Sequence, residues 1–319
     1  MKLVRTTATF PHASSRPRRW TTITKDFRRN KAIYLMALPV LAYYLIFHYG
    51  PMYGAIIAFK DFIPSRGIWG SPWVGFDNFS DFFNGLFFWR LIRNTLAINV
   101  LDVVLGFPAP IILALLLNEV TSDAFKRTVQ TITYMPHFIS IVVVVGLVID
   151  FLARDGLINQ VLATFGVQPT VFLQEPRWYW FIYVASGIWQ SIGWGSIIYL
   201  AAIAGINPSL YEAAKVDGAG RFRQIWNITI PGILPTIMLL LILRIGTMMN
   251  LGYEKTILLY NPLILETADV ISTFVFRKGI LETDYGFSAA VGLFNSVINF
   301  ALLIIANRLS RRFTQSGLW

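Results

Sequence analysis

Cysteine is absent from the 319 residues, which excludes a disulfide framework, a thiolate metal site and a cysteine nucleophile, and leaves the redox compartment unreadable. Charge is scarce too. Asp, Glu, Lys and Arg make up 14% of the chain against 55% hydrophobic residues and 15% aromatics. That is too little polar surface for a soluble domain of this length, and the composition reads as a polytopic membrane protein. The three histidines, His12, His48 and His137, are widely separated and form no helical pair. They read as packing or interface residues and no metal site is expected. No His-Glu-x-x-His, Gly-x-Ser-x-Gly or paired-carboxylate pattern occurs, so no catalytic residue is assigned. A Gly-x4-Gly-Lys-Ser/Thr phosphate loop is also missing, which places any nucleotide on another chain. Internal repeats, low-complexity runs and strand-like alternation are lacking.

What is present is long apolar runs. Crossing the hydrocarbon takes roughly 20 helical residues, and six stretches qualify, at about 32–59, 94–118, 128–151, 179–206, 231–250 and 286–307. The expected fold class is all-α: one transmembrane domain over 32–307, a basic arm over 1–31 and a tail over 308–319. No short apolar core with a small-residue cleavage site precedes Ala32, so the first run reads as a retained span. Six spans put both termini on one side. The loops on that side hold most of the Lys and Arg, so the positive-inside rule makes both termini and the 207–230 loop cytoplasmic, in a multi-pass membrane protein. The formal net charge of +10 sits at span ends and in the arm instead of along a solvated face, so nucleic acid is not an expected partner.

Three features flank these spans. Trp20, Lys25, Phe27, Arg28, Arg29 and Lys31 suit a stretch lying along the lipid surface, or simply a basic topology anchor. Between the first two spans, Trp69, Trp73, Phe76, Phe79, Phe82, Phe83, Phe87, Phe88 and Trp89 suit the water–lipid boundary, as an outer cap that is helical in part after Phe79. Gly187, Ser191 and Gly195 recur every four residues on the fourth span and let a neighbouring helix approach, from this chain or from a partner subunit.

The 207–230 loop carries the most specific pattern. Asn207 is a capping residue, Pro208 fits the first helical position, and Ser209 with Glu212 has the spacing of a capping box. Gly218 and Gly220 are placed to stop the helix. A helix of about ten residues is too short to span and must lie on or beyond the membrane surface. Its Ala213 and Ala214 leave the backbone accessible, and Glu212, Lys215, Asp217, Arg221 and Arg223 surround a small docking face.

The run EAAKVDGAGRFRQIWNITIP resembles the cytoplasmic loop of binding-protein-dependent ABC importer permeases, with Ile230 where leucine is usual. SPWVGFDNFSDFF, LRIGTMMNLGYEKTILLYNP and AVGLFNSVINFALLIIANRLSRR extend the likeness over nearly the whole chain, toward the oligosaccharide and polysaccharide subgroup that includes alginate importers. The resemblance implies a type I ABC importer permease fold with a cytoplasmic coupling helix, and a subunit without chemistry of its own. It further implies a second homologous permease, two ATPase subunits that hold ATP and Mg, and an extracytoplasmic solute-binding protein that delivers the oligosaccharide. By position, Glu212, Ala213, Ala214, Asp217 and Gly218 would seat in the ATPase, with Arg221 and Arg223 beside them.

Polar residues within spans mark the expected path. Arg244 is a charge inside the fifth span, where an unpaired one costs about 2.5–3.5 kcal/mol. At about 1.5 Å per residue, Arg244 and Asp102 lie at compatible depths, so an ion pair is expected, either beside the path or only setting helix register. Sugars need hydrogen-bonding side chains and aromatic faces. Asn99, Trp189, Gln190, Trp194, Asn250, Tyr253, Asn295 and Asn299 are the candidates, each also able to act as glue between helices. An acidic glycan would favour Arg244. The alternative reading, a secondary transporter driven by an ion gradient, predicts matching broken helices in two related halves. No such correspondence is visible, although Pro39, Pro51, Pro108, Pro110 and Pro136 are placed to kink single spans.

Overall fold

The computed structural model describes residues 29–314. The surface stretch expected at Trp20, Lys25, Phe27 and Arg28 lies outside the described residues, as does His12. Among the described residues the regular secondary structure is helical apart from one isolated β-bridge, Lys60 to Trp73. Among these residues five helices are long and apolar enough to cross a membrane: α1 (Lys31–Phe59), α3 (Phe88–Glu119), α7 (Pro176–Ala204), α9 (Arg221–Gly246) and α12 (Tyr285–Arg312). Shorter helices connect them: α2 (Asp77–Asn84), α4 (Asp123–Tyr134), α5 (Ile141–Leu152), α6 (Leu157–Thr164), α8 (Pro208–Val216), α10 (Tyr253–Leu259) and α11 (Ile271–Phe276). The chain forms two compact units, Met1–Ala55 and Ile56–Trp319. In the first, Tyr43 packs on Phe47 (ring centroids 5.3 Å apart) and Tyr44 on His48 (5.0 Å).

Proline shapes the long helices in a repeated way. A proline at position i has no N–H for the carbonyl at i−4, and its ring presses on that carbonyl. Pro51, Pro108 and Pro231 each stand two residues beyond a π turn, at Leu45–Tyr49, Asp102–Gly106 and Ile225–Thr229. The i−4 positions Phe47, Val104 and Asn227 fall at the centre of those turns. The wider turn relieves the crowding while the helix runs on, in place of a sharp kink.

The run expected as a third span is two helices. The pair Asp123–Phe138 and Ile141–Thr164 is bent by 106°. Pro136 stands in a 3-10 turn over Met135–Phe138, and the Ser140 hydroxyl then caps α5 by accepting from Val143 N. A stop signal followed by a start signal outweighs continuous apolarity here.

Within the second unit, α7 packs along α3 and α9 along α12. Near the α8 end of the bundle, Ala114, Tyr199, Ile203 and Ile233 form one core cluster. At the opposite end, Ile98, Val145, Tyr179 and Val184 pack with Leu251, Leu259, Ile264 and Val270 of the α9–α12 connection, so that connection is part of the core. The spaced small residues of α7 serve contacts inside this chain. A Cβ on Gly195 would come within 3.0 Å of Pro110 Cγ, and one on Gly187 within 3.3 Å of Lys255 Nζ. The tightest approach is at Gly193, outside the expected spacing, where a Cβ would collide with the Thr133 carbonyl.

Candidate coupling and translocation residues

The α8 helix is cut out of its surroundings by sequence. The Asn207 side chain accepts from Ser209 N at 3.1 Å and Pro208 opens the helix. The cap is thus Asn207's, and the expected Ser209–Glu212 box is not formed. At the other end Ala219 N donates to Ala214 O (2.8 Å) and Gly218 N to Lys215 O (3.1 Å), the two bonds of a Schellman closure. Gly218 has φ +73, a left-handed conformation that favours a residue without Cβ. The spacing from Glu212 to Gly218 is therefore one short helix plus its stop.

Glu212, Ala213, Lys215 and Asp217 are exposed and Ala214 is half-buried, while Arg221 and Arg223 are exposed at the start of α9. Sequence reading passed over the apolar residues among them: Leu210, Val216, Phe222 and Trp226 are 51%, 89%, 80% and 65% exposed. Their signal was present, since each is a large apolar residue inside a polar connection. The loop is anchored at its base. Tyr211 OH bonds Thr229 Oγ1 at 3.0 Å, Gln224 Nε2 donates to Ala219 O at 2.7 Å, and a Cβ on Gly232 would meet Ile206 Cδ1 at 2.7 Å. These contacts tie α8 to the end of α7 and the start of α9.

The expected path residues separate into groups. Asp102 and Arg244 form the anticipated ion pair, with Asp102 opening the π turn of α3 and Gly106 leaving room for its carboxylate. Asn250 Oδ1 accepts from Asn295 Nδ2 (2.8 Å) and Asn299 Nδ2 (3.0 Å), and Asn299 Oδ1 accepts from Met249 N (2.8 Å). These three amides brace the end of α9 against α12, and the buried Asn295 Oδ1 has no partner. Tyr253 stacks on Phe276 at 5.6 Å. Others lie elsewhere. Asn99 is buried and donates to Thr95 O of its own helix. Trp194 stacks on His137 at 4.6 Å and Gln190 Nε2 donates to Ile139 O at 3.4 Å, so both hold the bend after α4. Trp189 lines an almost wholly apolar cleft of about 660 Å³ with Leu147, Phe151, Leu162, Phe172 and Phe181, where Ser186 and Trp178 add the few polar atoms.

The family model described as binding-protein-dependent transport system inner membrane component matches residues 106–315, a span that includes α8 and its stop. The chain belongs to that family. Protein LplB of Bacillus subtilis (strain 168) is 47% identical over 92% of this chain and 92% of its own length. The polygalacturonan/rhamnogalacturonan transport system permease protein YteP of the same organism is 45% identical over 91% of both chains. A crystal structure of a bacterial alginate ABC transporter, in complex with alginate pentasaccharide-bound periplasmic protein, matches with a TM-score of 0.85 and 46% identity, over 92% of this chain and 99% of that one. The molecule is thus a permease component of an ABC importer, an inner membrane subunit without catalysis of its own.

Two charged centres of this permease were missed in the sequence. Asp269, 1% exposed, takes Arg277 through both oxygens (2.9 and 2.8 Å), Arg90 at 3.1 Å and Thr273 Oγ1 at 3.0 Å. Asn94 Nδ2 donates to the Glu266 and Asp269 carbonyls, so the α9–α12 connection is tied to the start of α3. Burial works against the Arg277 charge, but the Asp269 carboxylate outweighs it and raises the Arg277 pKa. The signal was a lone acid in the apolar run ADVISTFVF with an arginine eight residues on. The other centre is Lys255, buried at 8% exposure in α10, its Nζ donating to Tyr183 O at 2.7 Å and lying 4.4 Å from the Tyr183 ring centroid.

Proposed function

We propose that this permease imports oligosaccharides or polysaccharides of acidic character, forms the translocation path with a second homologous permease, and is driven through α8 by ATPase subunits on the cytoplasmic side. The observation that carries the drive is α8 itself, capped at both ends, anchored to two spans, and exposed along Glu212, Ala213 and Asp217. Two ATPase subunits, each seated by one permease, would hold ATP and Mg, whose turnover supplies the free energy. Closure of that pair moves the seated helices together, and the anchoring through Tyr211 and Gly232 carries the movement into α7 and α9. Differential affinity for the closed state provides the bias between inward-open and outward-open arrangements. Both termini share the ATPase side, in keeping with the distribution of Lys and Arg.

The glycan reading is supported by relatives whose names specify polygalacturonan/rhamnogalacturonan and alginate, and by the amides of Asn250, Asn295 and Asn299 beside one another. An extracytoplasmic binding protein would present the sugar at the end opposite α8. Reconstitution with the binding protein, second permease and ATPase tests this directly. Uptake of a galacturonate trisaccharide should require ATP and fall at least ten-fold with Glu212→Lys, the complex staying assembled. Uptake by the chain alone on a proton or sodium gradient would contradict it.

A further inference from the structure

The surroundings of Lys255 are those of a binding group. Its ammonium is buried, yet it makes no ion pair among the described residues; its polar contact is a single backbone carbonyl, that of Tyr183. Space for it is built in, because Gly187 of α7 is the position where a side chain would press on Nζ, at 3.3 Å. The carboxylate whose charge acts on it is Asp102, which is paired with Arg244. Two cations therefore share one carboxylate. The Asp102–Arg244 pair is not sealed inside this chain, the side chains being 25% and 41% exposed. Burial lowers the Lys255 pKa to about 8, with Asp102 acting in the opposite sense, and the side chain keeps its proton at neutral pH. A buried cation held by one carbonyl and one aromatic face, with no carboxylate paired to it, is costly and in membrane proteins marks a ligand path or a functional charge.

Resting on the reading of this chain as a glycan permease, we propose that Lys255 and Arg244 form a two-cation site for the carboxylate of a uronate sugar, with Asp102 as the resident carboxylate that the sugar displaces from Arg244. Arg244 offers the planar fork that matches a carboxylate and Lys255 a point charge beside it. With the sugar bound, two cations face two carboxylates. When the sugar leaves, Asp102 returns to Arg244, so the site does not hold its cargo indefinitely.

The assembled importer in nanodiscs provides the test. First, ATP-driven uptake of a galacturonate trisaccharide by the wild type checks the glycan reading, and failure there counts against that reading alone. Given uptake, binding of this trisaccharide and of its carboxyl-reduced form is measured on wild type, Lys255→Met and Lys255→Arg. The wild type should bind the uronate form at least ten-fold more tightly, Lys255→Met should erase the preference, and Lys255→Arg should keep it within three-fold. Recovery of both variants in the assembled complex at the wild-type subunit ratio checks that they fold. An unchanged preference in Lys255→Met, or a wild type without preference, would overturn the proposal.

Discussion

A single carboxylate, Asp269, shows how much one buried residue organises. It gathers Arg90, Arg277 and Thr273 and so fixes the α9–α12 connection against α3. Taking one partner out of a buried pair leaves the others uncompensated and costs about 3–5 kcal/mol. Asp269→Asn should therefore lower the midpoint of thermal unfolding of the purified complex clearly more than Arg90→Gln, because Arg90 is partly exposed while Asp269 is 1% exposed. Equal midpoints would contradict the arrangement. Gly218 acts through backbone freedom instead of contacts. At φ +73 a β-branched residue is disfavoured by about 1–2 kcal/mol, so Gly218→Val should disturb the end of α8 and leave span packing alone. The expected result is normal assembly with sugar uptake per ATP hydrolysed reduced at least three-fold; a wild-type ratio would show that the turn has no part in coupling.

Elements were legible to different degrees for physical reasons. Long apolar runs announced α1, α3, α7, α9 and α12, and turn chemistry at Asn207, Pro208 and Gly218 announced α8, since local signals and burial agreed there. The 128–151 run is a candidate span only as a bent pair, because its apolarity continues across Pro136 and Ser140, where local stop and start signals break the helix. The α9–α12 connection was the least visible. Its burial comes from residues distant in sequence, such as Ile98 and Tyr179, and no local pattern encodes that. Among the site residues, the Asp102–Arg244 pair followed from matched depth, whereas Trp189, Gln190 and Trp194 are polar-edged aromatics and amides whose neighbours are set by tertiary packing. At the closest helix approach, Gly193→Val should push α7 away from Thr133 and reduce recovery of folded permease several-fold, while Gly220→Val, where a Cβ meets nothing within 4 Å, should leave recovery near wild type. Equal recovery would show that α7 does not depend on this contact.

For the whole molecule, the account rests on α8 being the point where an external motor acts on the spans. The absence of native cysteine makes this directly measurable, because one introduced thiol is the only one in the chain. With Ala213→Cys in the assembled importer, a short bifunctional reagent should join the permease to an ATPase subunit. A membrane-impermeant maleimide should label that position only when added from the cytoplasmic side. Labelling from the opposite side, or no crosslink to an ATPase subunit in an active complex, would contradict the account.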